Sequence, residues 1–147
     1  MSVPPTAIHR MVESCRSGTH APAVCRLPSG WVVMGEQQVL PGYCLLLPDP
    51  VVANLNALSG PARISFLEDM SRVGDALLKL LDAVRVNYAI FGNVEPALHA
   101  HVFPRLSSEP ESTRTAQPWA LDWAGAPRFA EEQHGAFKLR LALELGA

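Results

Sequence analysis

Two histidines spaced two residues apart, His99 and His101, stand in the stretch Phe91-Gly92-Asn93-Val94-Glu95-Pro96-Ala97-Leu98-His99-Ala100-His101-Val102-Phe103-Pro104-Arg105. Side chains in a strand alternate between faces, so this pair points the same way, roughly 6–7 Å apart along the chain. Leu98, Ala100 and Val102 then face the opposite side, where a helix can cover them. Three readings compete for such a pair. Imidazole, with an ordinary pKa of ~6.5, is mostly neutral at pH 7 and can attack phosphorus without the repulsion that an anionic nucleophile meets. A second imidazole beside it binds the charge that develops. A metal-dependent hydrolase uses the same spacing, but no motif supplies a third ligand. The last reading makes both rings structural, satisfied by ordinary hydrogen bonds. Arg105, closing the segment, suits either a phosphate contact or an ion pair.

Periodicity and punctuation predict the elements that must hold this pair. A short helix is expected from Thr6 to Arg16, between Pro4-Pro5 and Ser17-Gly18. Trp31–Met34 and Tyr43–Leu47 read as strands of an antiparallel hairpin, with a Pro41-Gly42 turn before the second. Ile64, Leu67, Met70, Leu77, Leu78, Leu81 and Val84 form the apolar stripe of one long helix over about 61–84, with Ser59 as N-cap. Gly74 interrupts it, which implies close packing against a neighbouring backbone. Val86–Phe91 and Ala97–Phe103 read as strands, and a last helix is expected over about 127–145. Tyr43 is expected to pack on the sheet, and Trp119 and Trp123 to serve core or dimer packing rather than base stacking. The fold class is α+β, with an antiparallel sheet of about five strands. One domain spans 1–147, with its core at about 24–106, a loop or arm at 107–118, and a C-terminal extension at 119–147.

Composition limits what such a domain does. The chain has 147 residues, 48% hydrophobic and 18% charged, a balance opposite to that of a disordered chain. A net charge of −2 offers no footprint for a nucleic-acid backbone. No apolar run approaches the ~20 residues needed to span a bilayer, so no membrane partner is expected. No continuous apolar stretch follows the first charges, so no secretory signal is expected. Three cysteines (Cys15, Cys25, Cys44) are too few for a disulfide scaffold, and a cytoplasmic location is the simplest expectation. Cys15, His20 and Cys25, five residues apart, raise a zinc question without a fourth ligand in view.

The pattern Gly92-Asn93-x-x-Pro96-x-x-His99-x-His101-x-x-Pro104-Arg105 resembles the signature of the histidine-triad superfamily of nucleotide hydrolases and transferases. Upstream, Val39-Leu40-Pro41-Gly42-Tyr43-Cys44-Leu45-Leu46-Leu47-Pro48 is similar to that family's Pro-Gly turn and second hairpin strand, and the resemblance covers roughly residues 30–106. It implies a nucleophilic role for His99 and a charge-stabilising one for His101. It also implies a phosphate contact for Asn93 and a ribose contact for Glu36, the latter match being loose by a residue. Two positions depart from the pattern: Ala97 stands where the first histidine belongs, and Pro48-Asp49-Pro50 lacks the usual basic residue or histidine.

The resemblance implies a homodimer that hydrolyses or transfers at the α-phosphate of nucleotide derivatives, dinucleoside polyphosphates or nucleoside phosphoramidates, through a nucleotidyl-histidine intermediate. No resident cofactor is expected, Mg²⁺ entering only with the substrate. The alternative is a nucleotide-binding or regulatory module weakened by the loss at Ala97. On the first reading, Ala97→His restores a three-imidazole row and raises turnover.

Overall fold

The computed structural model describes residues 5–146; Pro4, of the Pro4-Pro5 pair expected to precede the first helix, lies outside them. Helix α1 (Ala7–Arg16) begins where Thr6 can cap it: the Thr6 hydroxyl accepts the N–H groups of Ile8 and His9, and the His9 ring accepts the N–H of Thr6. It ends at Gly18, whose φ of +75° favours glycine. The sheet contains β1 (Ala23–Leu27), β2 (Gly30–Met34), β3 (Cys44–Pro48), β4 (Ala83–Ile90) and β5 (Ala100–Leu106), in the order β1-β2-β3-β5-β4. Every neighbouring pair is antiparallel. The α+β class and the strand number agree with the sequence reading, although β1, flanked by Pro22 and Pro28, carried no clear strand signal of its own.

Helix α2 (Gly60–Leu80) is the predicted long helix, but it stops earlier than its stripe suggested. Leu81 is already extended, Ala83 starts β4, and Val84 is exposed rather than packed. The turn is held from outside, where the Asp82 carbonyl accepts the Ser107 N–H and the Asp82 carboxylate accepts the Ser107 hydroxyl. Gly74 is needed for a side chain and not for a backbone: a Cβ there would meet the Tyr88 hydroxyl at 1.8 Å. Past β5, one short helical turn, α3 (Glu111–Arg114), interrupts the predicted arm, and α4 (Glu131–Glu144) closes the described chain. No helix among the described residues is long and apolar enough to cross a membrane.

Both faces of the sheet are covered, by different means. Leu98, Ala100 and Val102 join Val32, Met34, Leu46, Phe66, Val73, Leu77 and Leu141 in the main core, beneath α2 and α4. On the other face α1 packs Ile8, Val12 and Cys15 over Val33, Leu47 and Ala97. Leu40, Tyr43 and Phe103 form a third cluster beside Trp123. Cys15 and Cys25 therefore lie in separate cores on opposite faces of the sheet, which answers the Cys15–His20–Cys25 zinc question in favour of buried thiols. Burial pushes both thiols up to about 11, away from the thiolate a metal requires. Among the described residues no three His, Cys, Asp or Glu side chains come together as a metal site.

Ala97 belongs to this packing. It precedes β5 instead of opening it, is fully buried, and sits beneath α1 with Ile8 and Val12. The expectation that Ala97 shares a regular strand with both histidines is therefore corrected. An imidazole has no room there. Ala97→His should lower stability by about 1–3 kcal/mol through overpacking, with no gain in any nucleotide turnover. Denaturant unfolding and an activity assay on one sample check this, and a stable variant with faster turnover would contradict it.

Candidate active site

Burial of Ala100 and Val102 in the main core turns His101, Phe103 and Arg105 to the opposite face of β5. His99 lies one residue before the strand and its ring still reaches the same place, 5.0 Å from the His101 ring centre at 73°. Pro104 is tolerated within β5 because pairing with β3 ends at Val102, so one side of the strand is free where the N–H is missing. The turn after β4 holds Gly92 at φ +96° and brings Asn93 round to the histidines. Glu95 ties that loop to α1 by accepting the Ala7 N–H at 3.2 Å, a carboxylate at a helix N-terminus.

The His99 Nδ1 lies 2.7 Å from the Ala97 carbonyl. A carbonyl only accepts, so Nδ1 carries the proton and Nε2 of the neutral ring holds a free lone pair. His101 is placed differently. Its Nδ1 lies 2.7 Å from the Tyr43 hydroxyl, its ring stacks beside Phe103 at 5.8 Å, and Trp119 meets it edge-on at 4.9 Å. Burial, with a smaller contribution from neighbouring His99, pulls its pKa down to about 4, so the ring is neutral at pH 7. His99, His101 and Trp119, with Phe91, Gly92, Asn93, Val94 and Glu95, surround a mostly apolar cavity of about 490 Å³.

A second cavity of about 600 Å³ opens over β4 and β5 on the same face. It shares Phe91 and Trp119 with the first, and Arg85, Arg114 and Tyr88 also line it. A neutral His101 ring and a His99 ring whose Nδ1 is engaged by a carbonyl thus stand beside an apolar pocket with space on a second side.

No family model matches the sequence, and no curated protein does. Solved structures do match. A histidine triad protein from Bradyrhizobium japonicum is 22% identical over 84% of this chain and 89% of its own, with a TM-score of 0.71. One from Marinobacter aquaeolei is 20% identical over 97% of each chain, also at 0.71. A hypothetical histidine triad nucleotide-binding protein from Sulfolobus tokodaii, 13% identical over 92% and 91%, gives 0.71 as well. The chain has the histidine-triad fold.

Within this histidine-triad fold, the residues expected at the site divide. His99, His101 and Asn93 come together around one cavity. Glu36 does not join them. It is exposed beyond the end of β2, its carbonyl accepts the Phe129 N–H at 2.7 Å, and its charge acts on His20. Arg105 faces the same side as His101 but has no donor to offer a phosphate. Its Nε and Nη2 donate to the two Glu109 carboxylate oxygens at 3.0 and 2.5 Å. The remaining bonds go to Asn87 Oδ1 at 3.0 Å, the Thr113 carbonyl at 2.8 Å and the Ala116 carbonyl at 2.6 Å. A guanidinium has five N–H groups, and all are used. Arg105 therefore fastens the arm that carries Trp119, and Glu109 is its buried partner.

Tyr43 and Trp119 are the site residues that the sequence reading assigned to packing. The only hint for Tyr43 was its place after the Pro41-Gly42 turn, and for Trp119 its isolation at the end of a polar arm. The 35–43 loop is set by Gln38, buried, whose amide donates to the Gly35 and Tyr43 carbonyls and accepts the Gly42 N–H.

The neutral state of His101 has a consequence for stability. Unfolded histidine takes up a proton near pH ~6.5, whereas folded His101 waits until about 4. Between these values the unfolded chain binds more protons, so stability falls as pH drops through the window. Burial lowers His20 as well, and it adds to the slope with the same sign. His101→Gln should make the pH dependence of the unfolding free energy shallower between about 6.5 and 4. Denaturant titrations across that range check this, and an unchanged slope would contradict it.

Proposed function

We propose that this protein is a hydrolase or nucleotidyl transferase acting at the α-phosphate of nucleotide derivatives. The observation that carries the reading is the His99 Nδ1 contact with the Ala97 carbonyl, 2.7 Å long, which leaves Nε2 as a neutral nucleophile beside a second neutral imidazole. The His99 Nε2 lone pair attacks the α-phosphorus. The bond from phosphorus to the leaving group breaks with its electron pair, and that group takes a proton from solvent. Water, or another acceptor, then attacks nucleotidyl-His99, releasing the nucleoside monophosphate or its transfer product and restoring the ring. Asn93 and His101 stabilise charge on the phosphoryl oxygens. No step uses a resident metal, and Mg²⁺ enters only with a polyphosphate substrate.

The second cavity favours one of the two expected substrate classes. A dinucleoside polyphosphate has bulk on both sides of the reacting phosphate, and the groove shared through Phe91 and Trp119 supplies space, aromatic surface and the cations Arg85 and Arg114 for the second half. A phosphoramidate with a small amine would leave it empty. A second reading, a nucleotide-binding or regulatory module, draws on Ala97 and on the saturated Arg105, which leave the phosphate with fewer donors. The buried free cysteines support a reducing, cytoplasmic setting.

Incubation with dinucleoside polyphosphates and nucleoside phosphoramidates, with and without chelator, tests these readings. Turnover that survives chelation is expected, and saturable binding without turnover would favour the module. His99→Ala should lower turnover by about 10³-fold or more while nucleotide binding changes little, and rapid quench of the unaltered protein should trap an acid-labile nucleotidyl adduct. Near-normal turnover in that variant would sink the assignment. We also propose a homodimer, since β4 ends the sheet with an unpaired edge and α2 beside it exposes Ile64, Leu67 and Leu78. Light scattering should then give twice the 15.9 kDa chain mass, and a monomer at all concentrations would exclude it.

A further inference from the structure

Tyr43 is the buried group that the mechanism above leaves without a part. Its ring is 4% exposed, stacked on Phe103 at 4.4 Å and edge-on to Trp123 at 5.7 Å. Among the described residues its hydroxyl has one hydrogen-bond partner, the His101 Nδ1 at 2.7 Å. Two proton arrangements satisfy that distance. In one, the phenol donates to a bare Nδ1; in the other, a protonated Nδ1 donates to the phenol oxygen. The second strands the phenolic proton, because among the described residues the hydroxyl has no other partner, and a buried donor without a partner is costly. The first pairs the phenolic proton and moves the ring proton to Nε2, which is not among the buried polar atoms left without a partner. Burial also pushes the Tyr43 pKa upward, so the phenol keeps its proton. His99 is held the other way round, since its Nδ1 faces a carbonyl and must donate.

We propose that Tyr43 is a positioning residue that fixes His101 as its Nε2–H tautomer. The two neighbouring imidazoles then have opposite tautomers: His99 presents a lone pair at Nε2 and His101 presents a donor. One ring attacks, and the other hydrogen-bonds the phosphoryl oxygen. The use of that donor rests on the function proposed above, whereas the tautomer rests on the Tyr43 contact alone.

Nitrogen NMR of ¹⁵N-histidine-labelled protein near neutral pH reads the tautomers directly. The expected spectrum has a pyridine-like Nδ1 and pyrrole-like Nε2 for His101, and the reverse for His99. Tyr43→Phe keeps the aromatic stack and removes only the hydroxyl. In that variant the His101 tautomers should mix, and kcat should fall about tenfold, the value of one hydrogen bond of ~1.4 kcal/mol, with little change in KM. Trp123→Phe is the control for the same aromatic cluster: it should lower the thermal midpoint while leaving the His101 spectrum and kcat in place. A proton on His101 Nδ1 in the unaltered protein overturns the proposal, and so does Tyr43→Phe with unchanged ring resonances or unchanged kcat. Should the unaltered protein turn over no nucleotide, the ring spectrum still decides the Tyr43 assignment, so failure of the enzymatic reading and failure of this one are separable.

Discussion

The register of β5 is the constraint on which the remaining structure depends. Ala100 and Val102 are fully buried beneath α2 and α4, and this alone sends His101, Phe103 and Arg105 to the other face. A slip of one residue would drive an imidazole and a guanidinium into the apolar core and expose the residues that anchor the strand. Each misplaced polar group would cost several kcal/mol, so the register is strongly specified. Pairing on both sides reinforces it, with His101 opposite Leu45 on β3 and Ala89 on β4. The histidine face is thus a consequence of packing on the face behind it.

What that face becomes is decided by three covers laid over it. Helix α1 closes one end and buries Ala97. The 35–43 loop, braced by Gln38, delivers the Tyr43 hydroxyl to His101. The 107–126 arm brings Trp119 and Trp123 across Phe103, and Arg105 holds the arm at two backbone carbonyls. The histidine cavity lies between the 91–95 turn, the two histidines and Trp119 of the arm. Its apolar walls keep His101 neutral, while the Ala97 carbonyl orients His99.

Arg105 shows how one residue changes meaning with its surroundings. On an exposed strand end a guanidinium is free to meet phosphate. Here it is 6% exposed and pairs with an equally buried Glu109 four residues on, so leaving either charge alone would be strongly unfavourable. Asn87 and two carbonyls of the arm complete its hydrogen bonding. The electrostatic resource is spent on holding structure, and Arg85 and Arg114 are the other arginines that line the second cavity.

Local pattern alone determined much of this molecule. Thr6 and Gly18 bound α1, the apolar stripe marks α2, Pro41-Gly42 turns the chain into β3, and the His99-x-His101 alternation places both rings on one face with Asn93 close by. These features are legible because capping, periodicity and turn chemistry act between residues near in sequence. Contacts between distant segments decided the rest. Tyr43 and His101 are 58 positions apart and Ala7 and Glu95 are 88 apart. The early stop of α2 depends on Ser107, the separation of Glu36 from the site on Phe129, and the burial of Arg105 on an arm with no periodicity to predict its path. Ala97 is the clearest case: its sequence position beside the histidines suggested an empty place for a third ring, and the packing of α1 shows that the place is filled. Residue type and spacing state which chemistry a chain can offer, but which donors and lone pairs remain free is settled only when every buried polar group has found its partner.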